Sequence, residues 1–147
     1  MPFTTDYAHN ILNYIFGKTK TLAAPSDVYL ALSSYDPEAD NGTFTELSGG
    51  GYARVHISTT NGLYPNLMGT PTGRAITNKN QINWNKATEK WKDIKGFALY
   101  TAATGGTMIY YGKITNAEGK VSVDSGAVAL FDPGALRISI ASTDVSE

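Results

Sequence analysis

The stretch IKGFALYTAATGGTMIYYGKI, residues 94–114, decides the fold class of this chain. Two largely apolar runs, 94–101 and 107–114, flank the pair Gly105-Gly106. Each run has the length of a β-strand, and a glycine pair supplies the backbone angles that a tight hairpin turn needs. The stretch therefore predicts an antiparallel β-hairpin.

Alternation with a period of two recurs along the rest of the chain. Residues 28–32 carry apolar side chains on both faces, which predicts a central strand. Residues 52–58 alternate apolar and polar side chains and predict a strand with one wet face. Further strands are predicted at 82–84, 121–123, 127–131 and 136–141, with a turn at Asp132-Pro133-Gly134. Seven or eight short strands between turn signals predict an all-β fold, an antiparallel β-sandwich of jelly-roll-like type.

A short helix is predicted before the first strand, at about residues 6–16. Apolar residues recur there at spacings of three and four, so they form one stripe, and Gly17 supplies a stop. Thr4 or Thr5 can cap its N-terminus. We expect the stripe to pack on a sheet or on a neighbouring subunit. The stripe consists of Tyr7, Ala8, Ile11, Leu12 and Ile15.

The whole chain, residues 1–147, is expected to form a single domain, because a domain of this length can bury a sufficient core. Prolines and glycines interrupt any period at about 62–80, which predicts a long surface loop. The absence of cysteine excludes disulfides and thiolate chemistry. A net charge of −1 disfavours nucleic acid as a partner, and no segment has the length or hydrophobicity of a membrane span.

An acidic segment is the one candidate for a metal site. Asp36, Glu38 and Asp40 alternate as the ligands of a calcium loop do. The register fails, however, because Asn41 stands where the sharp-turn glycine belongs and Leu47 where the bidentate glutamate belongs. We interpret the segment as a solvated turn whose side chains bond their own backbone, and we expect no cofactor.

Catalytic constellations are not apparent. The two histidines, His9 and His56, lie on the polar flank of the helix and on the wet face of a strand, each without a catalytic partner nearby in sequence. No Gly-x-Ser-x-Gly elbow occurs, and the run 49–51 lacks the lysine of a phosphate loop. The sequence predicts that the protein is not an enzyme.

Two kinds of residue are candidates for contact with other molecules: aromatic residues whose rings carry a polar group, and the residues on the polar face of the predicted strand 52–58. Trp84 and Tyr110 have apolar neighbours in period two and are expected to fill the core. Loop aromatic residues are better placed for contact with other molecules. The candidate binding residues are Tyr35, Tyr52, Arg54, His56 and Tyr64.

The order of these segments resembles small bacteriophage proteins known as tail fibre or virion structural proteins. The most telling phrase is Ser48-Gly49-Gly50-Gly51-Tyr52-Ala53-Arg54. The resemblance continues through the Ile-Asn-Trp of 82–84 and the Ile-Lys-Gly-Phe-Ala-Leu-Tyr of 94–100, and covers most of the chain. It implies a β-sandwich without enzymatic activity, located in the virion after assembly in the host cytoplasm.

Three functions fit these predictions. The first is a tail- or fibre-associated subunit that contacts other virion proteins and forms a homo-oligomer, since exposed sheet edges need to be paired or covered. The second is a capsid-decorating protein. The third is a carbohydrate-binding module that contacts a host surface glycan through aromatic rings.

Overall fold

The computed structural model describes residues 3–21, 25–59 and 65–140. Within these ranges the chain forms one helix and ten strands, so the predicted all-β class with an N-terminal helix is confirmed. The elements are α1 (Thr5–Ile15), β1 (Asp27–Ser33), β2 (Val55–Thr59), β3 (Ala75–Thr77), β4 (Ile82–Asn83), β5 (Trp91–Ile94), β6 (Gly96–Tyr100), β7 (Met108–Lys113), β8 (Val121–Val123), β9 (Leu130–Phe131) and β10 (Arg137–Ser139).

The main sheet contains four antiparallel strands in the order β2-β1-β6-β7. β1 lies inside the sheet, and its residues from Leu30 to Ser33 are buried, as expected for a central strand with two apolar faces. β6 and β7 pair with Leu99 opposite Tyr110, which confirms the predicted hairpin. Gly105 and Gly106 adopt φ angles of 62° and 73° in its turn, as the glycine pair predicted.

The remaining strands form three two-stranded antiparallel ribbons: β10 with β3, β4 with β9, and β5 with β8. The fold is therefore sandwich-like, with ribbons where a jelly roll would have its second four-stranded sheet. The ribbons and the main sheet share one hydrophobic core. Trp84 and Tyr110 lie within it, 3% and 0% exposed, as predicted. The core also contains Leu30, Leu32, Ile57, Ile82, Trp91, Ile94, Phe97, Leu99, Ile109, Val123, Leu136 and Ile138.

β3 lies inside the segment 62–80 that was predicted as a surface loop, so that prediction is wrong for residues 75–77. A strand of three residues is too short to show a period. Its position depends instead on the buried Asn78, which accepts a hydrogen bond from the Leu136 amide at 2.9 Å and donates one to the Asp132 carbonyl at 3.0 Å. Asn78 thereby fastens β3 to the turn before β10.

α1 is anchored at its N-terminal end. The Thr4 amide donates to the Ile109 carbonyl at 2.9 Å, and the Thr4 hydroxyl donates to the Met108 carbonyl at 2.9 Å. Thr4 occupies the N-cap position, but its hydroxyl makes no capping bond because it is bound to β7. Thr4 is therefore the N-cap residue, as predicted, but its side chain does not supply the capping bond. Helices in the described part of the chain are too short or too polar to cross a membrane.

The apolar stripe of α1 is not buried within the chain. Tyr7 packs against the core, whereas Leu12 and Ile15 of the stripe are 51% and 63% exposed. Phe16, which directly follows α1, is 70% exposed. Packing on the sheet is thus confined to the N-terminal part of the helix. The alternative, packing on a neighbouring subunit, stays a prediction.

Candidate functional site

A group of paired polar side chains lies where residues 46–54 run beside β1. Glu46 forms an isolated bridge with Ser33 at the end of β1, and Arg54 immediately precedes β2, the neighbour of β1. The two side chains therefore meet across the glycine run. The Arg54 guanidinium donates to both Glu46 oxygens, from Nε to Oε2 and from Nη2 to Oε1, each at 2.8 Å. This bidentate geometry is the strongest form of an ion pair between side chains.

Arg54 also binds the hairpin turn between β6 and β7. Its Nη1 donates to the carbonyls of Ala102 and Gly105, both at 2.8 Å, and its guanidinium carbon lies 3.8 Å from the ring centroid of Tyr100. Its side chain is 7% exposed. The predicted wet strand face is therefore wrong for Arg54, because its charge is satisfied inside the chain.

Tyr52 completes this group, which we name the Arg54 network (Glu46, Tyr52, Arg54 and Tyr100). The Tyr52 hydroxyl donates to Glu46 Oε2 at 2.8 Å and accepts from the Leu32 amide at 3.0 Å. Its ring stands edge-on to Trp91, with centroids 5.7 Å apart. The prediction of a wet face is wrong for Tyr52 too, since its ring is half-buried and its hydroxyl is occupied.

The electrostatics of the Arg54 network follow from this pairing. Burial favours a higher pKa for Glu46, but the hydrogen bonds from Arg54 and Tyr52 outweigh it and lower the pKa below its usual range. The hydrogen bonds to Glu46 raise the pKa of Arg54. Burial, helped by the neighbouring Glu46 carboxylate, raises the pKa of Tyr52. Glu46 and Arg54 thus stay charged and Tyr52 stays neutral at neutral pH.

The glycine run 49–51 has a structural role in the same region. All three glycines have positive φ angles, and the Gly50 carbonyl accepts from Trp91 Nε1 and from the Thr88 amide, each at 2.9 Å. A Cβ at Gly50 would lie 2.9 Å from Trp91 Nε1. The Ser-Gly-Gly-Gly-Tyr-Ala-Arg phrase therefore encodes a close approach of backbone to Trp91, followed by two members of the Arg54 network.

His56 belongs to a second, smaller group at the edge of the main sheet. Its Nε2 lies 2.9 Å from Asp27 Oδ1, and its ring stacks on Tyr29 with centroids 4.4 Å apart. The Thr59 hydroxyl donates to the same carboxylate oxygen at 3.0 Å, and this bond does most to lower the pKa of Asp27. His56 is half-buried and paired. It is nevertheless partly accessible on the edge strand β2, where the prediction placed it.

Of the two loop tyrosines among the candidates, Tyr35 lies within the described residues and Tyr64 does not. Tyr35 follows β1 and is 40% exposed, as predicted for a loop residue available for contact. Tyr64 lies outside the described residues.

The acidic segment folds as a turn. Asp36 Oδ1 accepts from the Glu38 amide at 2.9 Å, and Asp40 Oδ2 accepts from the Thr43 hydroxyl at 3.0 Å. Glu38 Oε2 accepts from the Lys113 amide at 2.8 Å, which joins the turn to β7. In the ranges given above, no three acidic, histidine or cysteine side chains are grouped as metal ligands. These carboxylates serve the turn and its attachment to the sheet.

Glu46 was missed as a functional partner from sequence. The available signal was its opposite charge to Arg54 across a glycine run that can fold back on itself. The arrangement as a whole fastens three segments together: the glycine run, β1 and the β6–β7 turn. Its charged groups bind one another, so what it can do chemically is hold the backbone in place.

One family model matches nearly the whole chain. It is described as podophage GP4 fiber I protein gp80, and the match covers residues 2–139. No curated protein matches the chain at a significant level.

Proposed function

We propose, because the chain belongs to the podophage fiber I protein family, that it acts as a fibre-associated structural subunit of the virion. It contacts other virion proteins through its surface and catalyses no reaction. Membership of a fibre family supports a component of the virion. The role in assembly or host contact, the homo-oligomeric state and the lack of enzymatic activity are parts of the proposal.

The observation that carries this proposal is the internal pairing of the Arg54 network. Catalysis needs a positioned nucleophile, acid or base that can reach a substrate. Here the Arg54 guanidinium makes five hydrogen-bond or ring contacts within its own chain, and the Tyr52 hydroxyl makes two. Such pairing makes a rigid module, which is what a particle component that must survive outside the cell requires.

Contact with other molecules then depends on residues that the fold leaves exposed. Tyr35 is the best placed of the predicted candidates, and His56 is partly accessible on the edge strand β2. The homo-oligomeric state does not rest on the edge of β2, because the Leu67 amide donates to the Ile57 carbonyl at 2.9 Å and Ser58 bridges Asn66. Arg54 is not proposed as a contact residue, because its guanidinium is buried and bound within the chain.

Immunogold electron microscopy of purified virions with an antibody against this chain tests the proposal. Label on the tail fibres is the expected result. Label confined to the capsid would overturn it in favour of a capsid-decorating protein, and the absence of the chain from purified virions would overturn both. A glycan array with the purified protein separates host contact through sugars from contact with virion proteins alone.

A variant pair tests the contact surface. Tyr35→Ala should leave the folded protein intact and reduce its incorporation into particles or the adsorption of those particles. Lys92→Ala, another exposed position, is the matched control and should change neither. Equal behaviour of the two variants would remove Tyr35 from the contact surface.

A further inference from the structure

An apolar groove lies beside β8 and β9. One cavity of about 370 Å³ and an adjoining one of about 480 Å³ share Ile114, Val121, Leu130 and Phe131 in their linings. Val121, Val128 and Leu130 are 41%, 44% and 45% exposed. We name this surface the β8–β9 groove. Large aliphatic side chains gathered at a concave surface mark a site for a partner.

A second apolar surface, which we name the helix face, consists of Leu12, Ile15 and Phe16. These positions follow the spacing i, i+3 and i+4, by which amphipathic helices anchor themselves in apolar grooves. No residue of α1 lines either cavity of the β8–β9 groove, so the helix does not fill the groove of its own chain. The chain thus carries both an anchor and a groove.

We propose that the helix face of one copy of this chain docks into the β8–β9 groove of a second copy. This inference rests on the proposed structural function and names the partner and the surfaces of its homo-oligomer. The contact joins two different surfaces, so it is head-to-tail. A contact of this kind closes into a ring or continues as a filament, according to the rotation between neighbours.

Charge complementarity supports a second copy as the occupant. The chain has no acidic residue between Tyr7 and Lys20, and Lys18 and Lys20 directly follow the helix face. Asp124 is the one charged residue among the described residues that line the first cavity. Its pair with Lys90, at 3.7 Å, is solvent-exposed and weak, so the carboxylate remains available to an incoming lysine. The adjoining cavity is lined by Lys113, Asp132 and Arg137, so its net charge is positive and the lysines of the docked helix lie at the Asp124 end of the groove.

The test begins with two double variants and sedimentation equilibrium of the full chain. Leu12→Gln with Phe16→Gln changes the helix face, and Val128→Gln with Leu130→Gln changes the groove. All four side chains are exposed, so circular dichroism should stay that of the wild type. Each variant should weaken self-association by roughly tenfold or more, as loss of central apolar anchors does. The control is Ile140→Gln, at an exposed aliphatic position outside the groove, and it should leave self-association unchanged.

Several outcomes of that experiment overturn the proposal. A wild-type chain that stays monomeric at every concentration does so, and so does a groove variant that associates as the wild type does. Where the groove double variant is poorly folded, the single change Val128→Gln replaces it, because Val128 lies outside the strands.

A mixing experiment distinguishes the head-to-tail contact from a symmetric one. The helix variant keeps an intact groove, and the groove variant keeps an intact helix face. An equimolar mixture should therefore form heterodimers although neither variant associates alone. If two helix faces met each other instead, the groove variant would associate with itself as the wild type does and would form no heterodimer with the helix variant, and the proposal would be overturned.

Charge reversal tests the orientation of the docked helix. Lys18→Glu with Lys20→Glu should weaken self-association, and a partner copy with Asp124→Lys should restore it at low salt. Restoration supports the proposed orientation, whereas weakening without restoration contradicts it. Immunogold labelling of virions does not depend on any of these results, so failure of the docking proposal and failure of the proposed function are told apart.

Discussion

The Arg54 network and the helix face both differ from what their sequence patterns predict, and they differ in opposite directions. Arg54 and Tyr52 alternate with apolar residues as an exposed face does, yet they are bound inside the chain. Leu12 and Phe16 have the spacing of a core stripe, yet both are more than half exposed. The polar residues complete the fold of one chain. The apolar ones are left exposed by the described part of the chain.

The comparison shows that polarity alone does not locate a contact surface. A charged side chain can be internal when every donor finds an acceptor, and Arg54 finds a carboxylate, two carbonyls and a ring. An apolar side chain can be external when its neighbours offer too little surface to cover it. Whether a side chain is satisfied within the chain is the better criterion, and it can be tested by substitution.

Replacing Arg54 should have the largest effect on stability. Arg54→Met keeps the length of the side chain but leaves the Glu46 carboxylate and two carbonyls without their donor, so we expect the free energy of unfolding to fall by about 3 kcal/mol. Urea denaturation measures it. Arg74→Met, at an exposed arginine, is the control and should change stability by less than about 0.5 kcal/mol. A loss at Arg54 no greater than at Arg74 would mean that the network contributes nothing.

Substitutions in the glycine run should have an intermediate effect and separate backbone strain from crowding. Gly49 and Gly50 have φ angles of 73° and 60°, but a Cβ at Gly49 meets open space whereas one at Gly50 meets Trp91. Gly49→Ala should therefore cost about 1 kcal/mol for the left-handed backbone alone. Gly50→Ala should cost about 2–3 kcal/mol, because Trp91 must also move. If thermal unfolding showed equal losses of stability for the two variants, the close approach of Gly50 to Trp91 would be contradicted.

The pH dependence of stability should show a smaller effect of the same network. The lowered pKa of Glu46 means that its ionised form contributes stability above its unfolded pKa of about 4.3, and that this contribution is lost as the pH falls through the folded value. Glu46→Gln should therefore have a flatter dependence of unfolding free energy on pH below that point. Asp27, whose pKa is also lowered, keeps its own share in the variant. An unchanged slope would show that Glu46 does not bind Arg54 in solution.

Much of the fold could be predicted from local patterns. The β6–β7 hairpin, the central position of β1 and the extent of α1 each depend on residues close in sequence, and all three agree with the structure. β3 could not be found in this way. Its three residues depend on Asn78, whose partners at 132 and 136 lie more than fifty residues away.

The candidate contact residues were harder to predict for the same reason. The wet face at Tyr52 and Arg54 was inferred from alternation, but the groups that cover it come from Glu46 and from the β6–β7 turn. The alternation of side chains within one strand carries no information about which distant segment covers that strand. Tyr35 was predicted correctly as exposed because a loop residue next to a turn depends little on distant segments.

The smallest effect on stability is expected at Phe16. Phe16→Ala should change the free energy of unfolding by less than about 0.5 kcal/mol at a concentration where the wild type is monomeric, since the side chain is 70% exposed. The control Phe97→Ala, in the core, should cost about 3–5 kcal/mol. At concentrations where copies associate, Phe16→Ala should become destabilising, because binding between copies stabilises the folded state. A large loss at low concentration would instead mean that Phe16 packs on its own chain, and the helix face would no longer be free to dock.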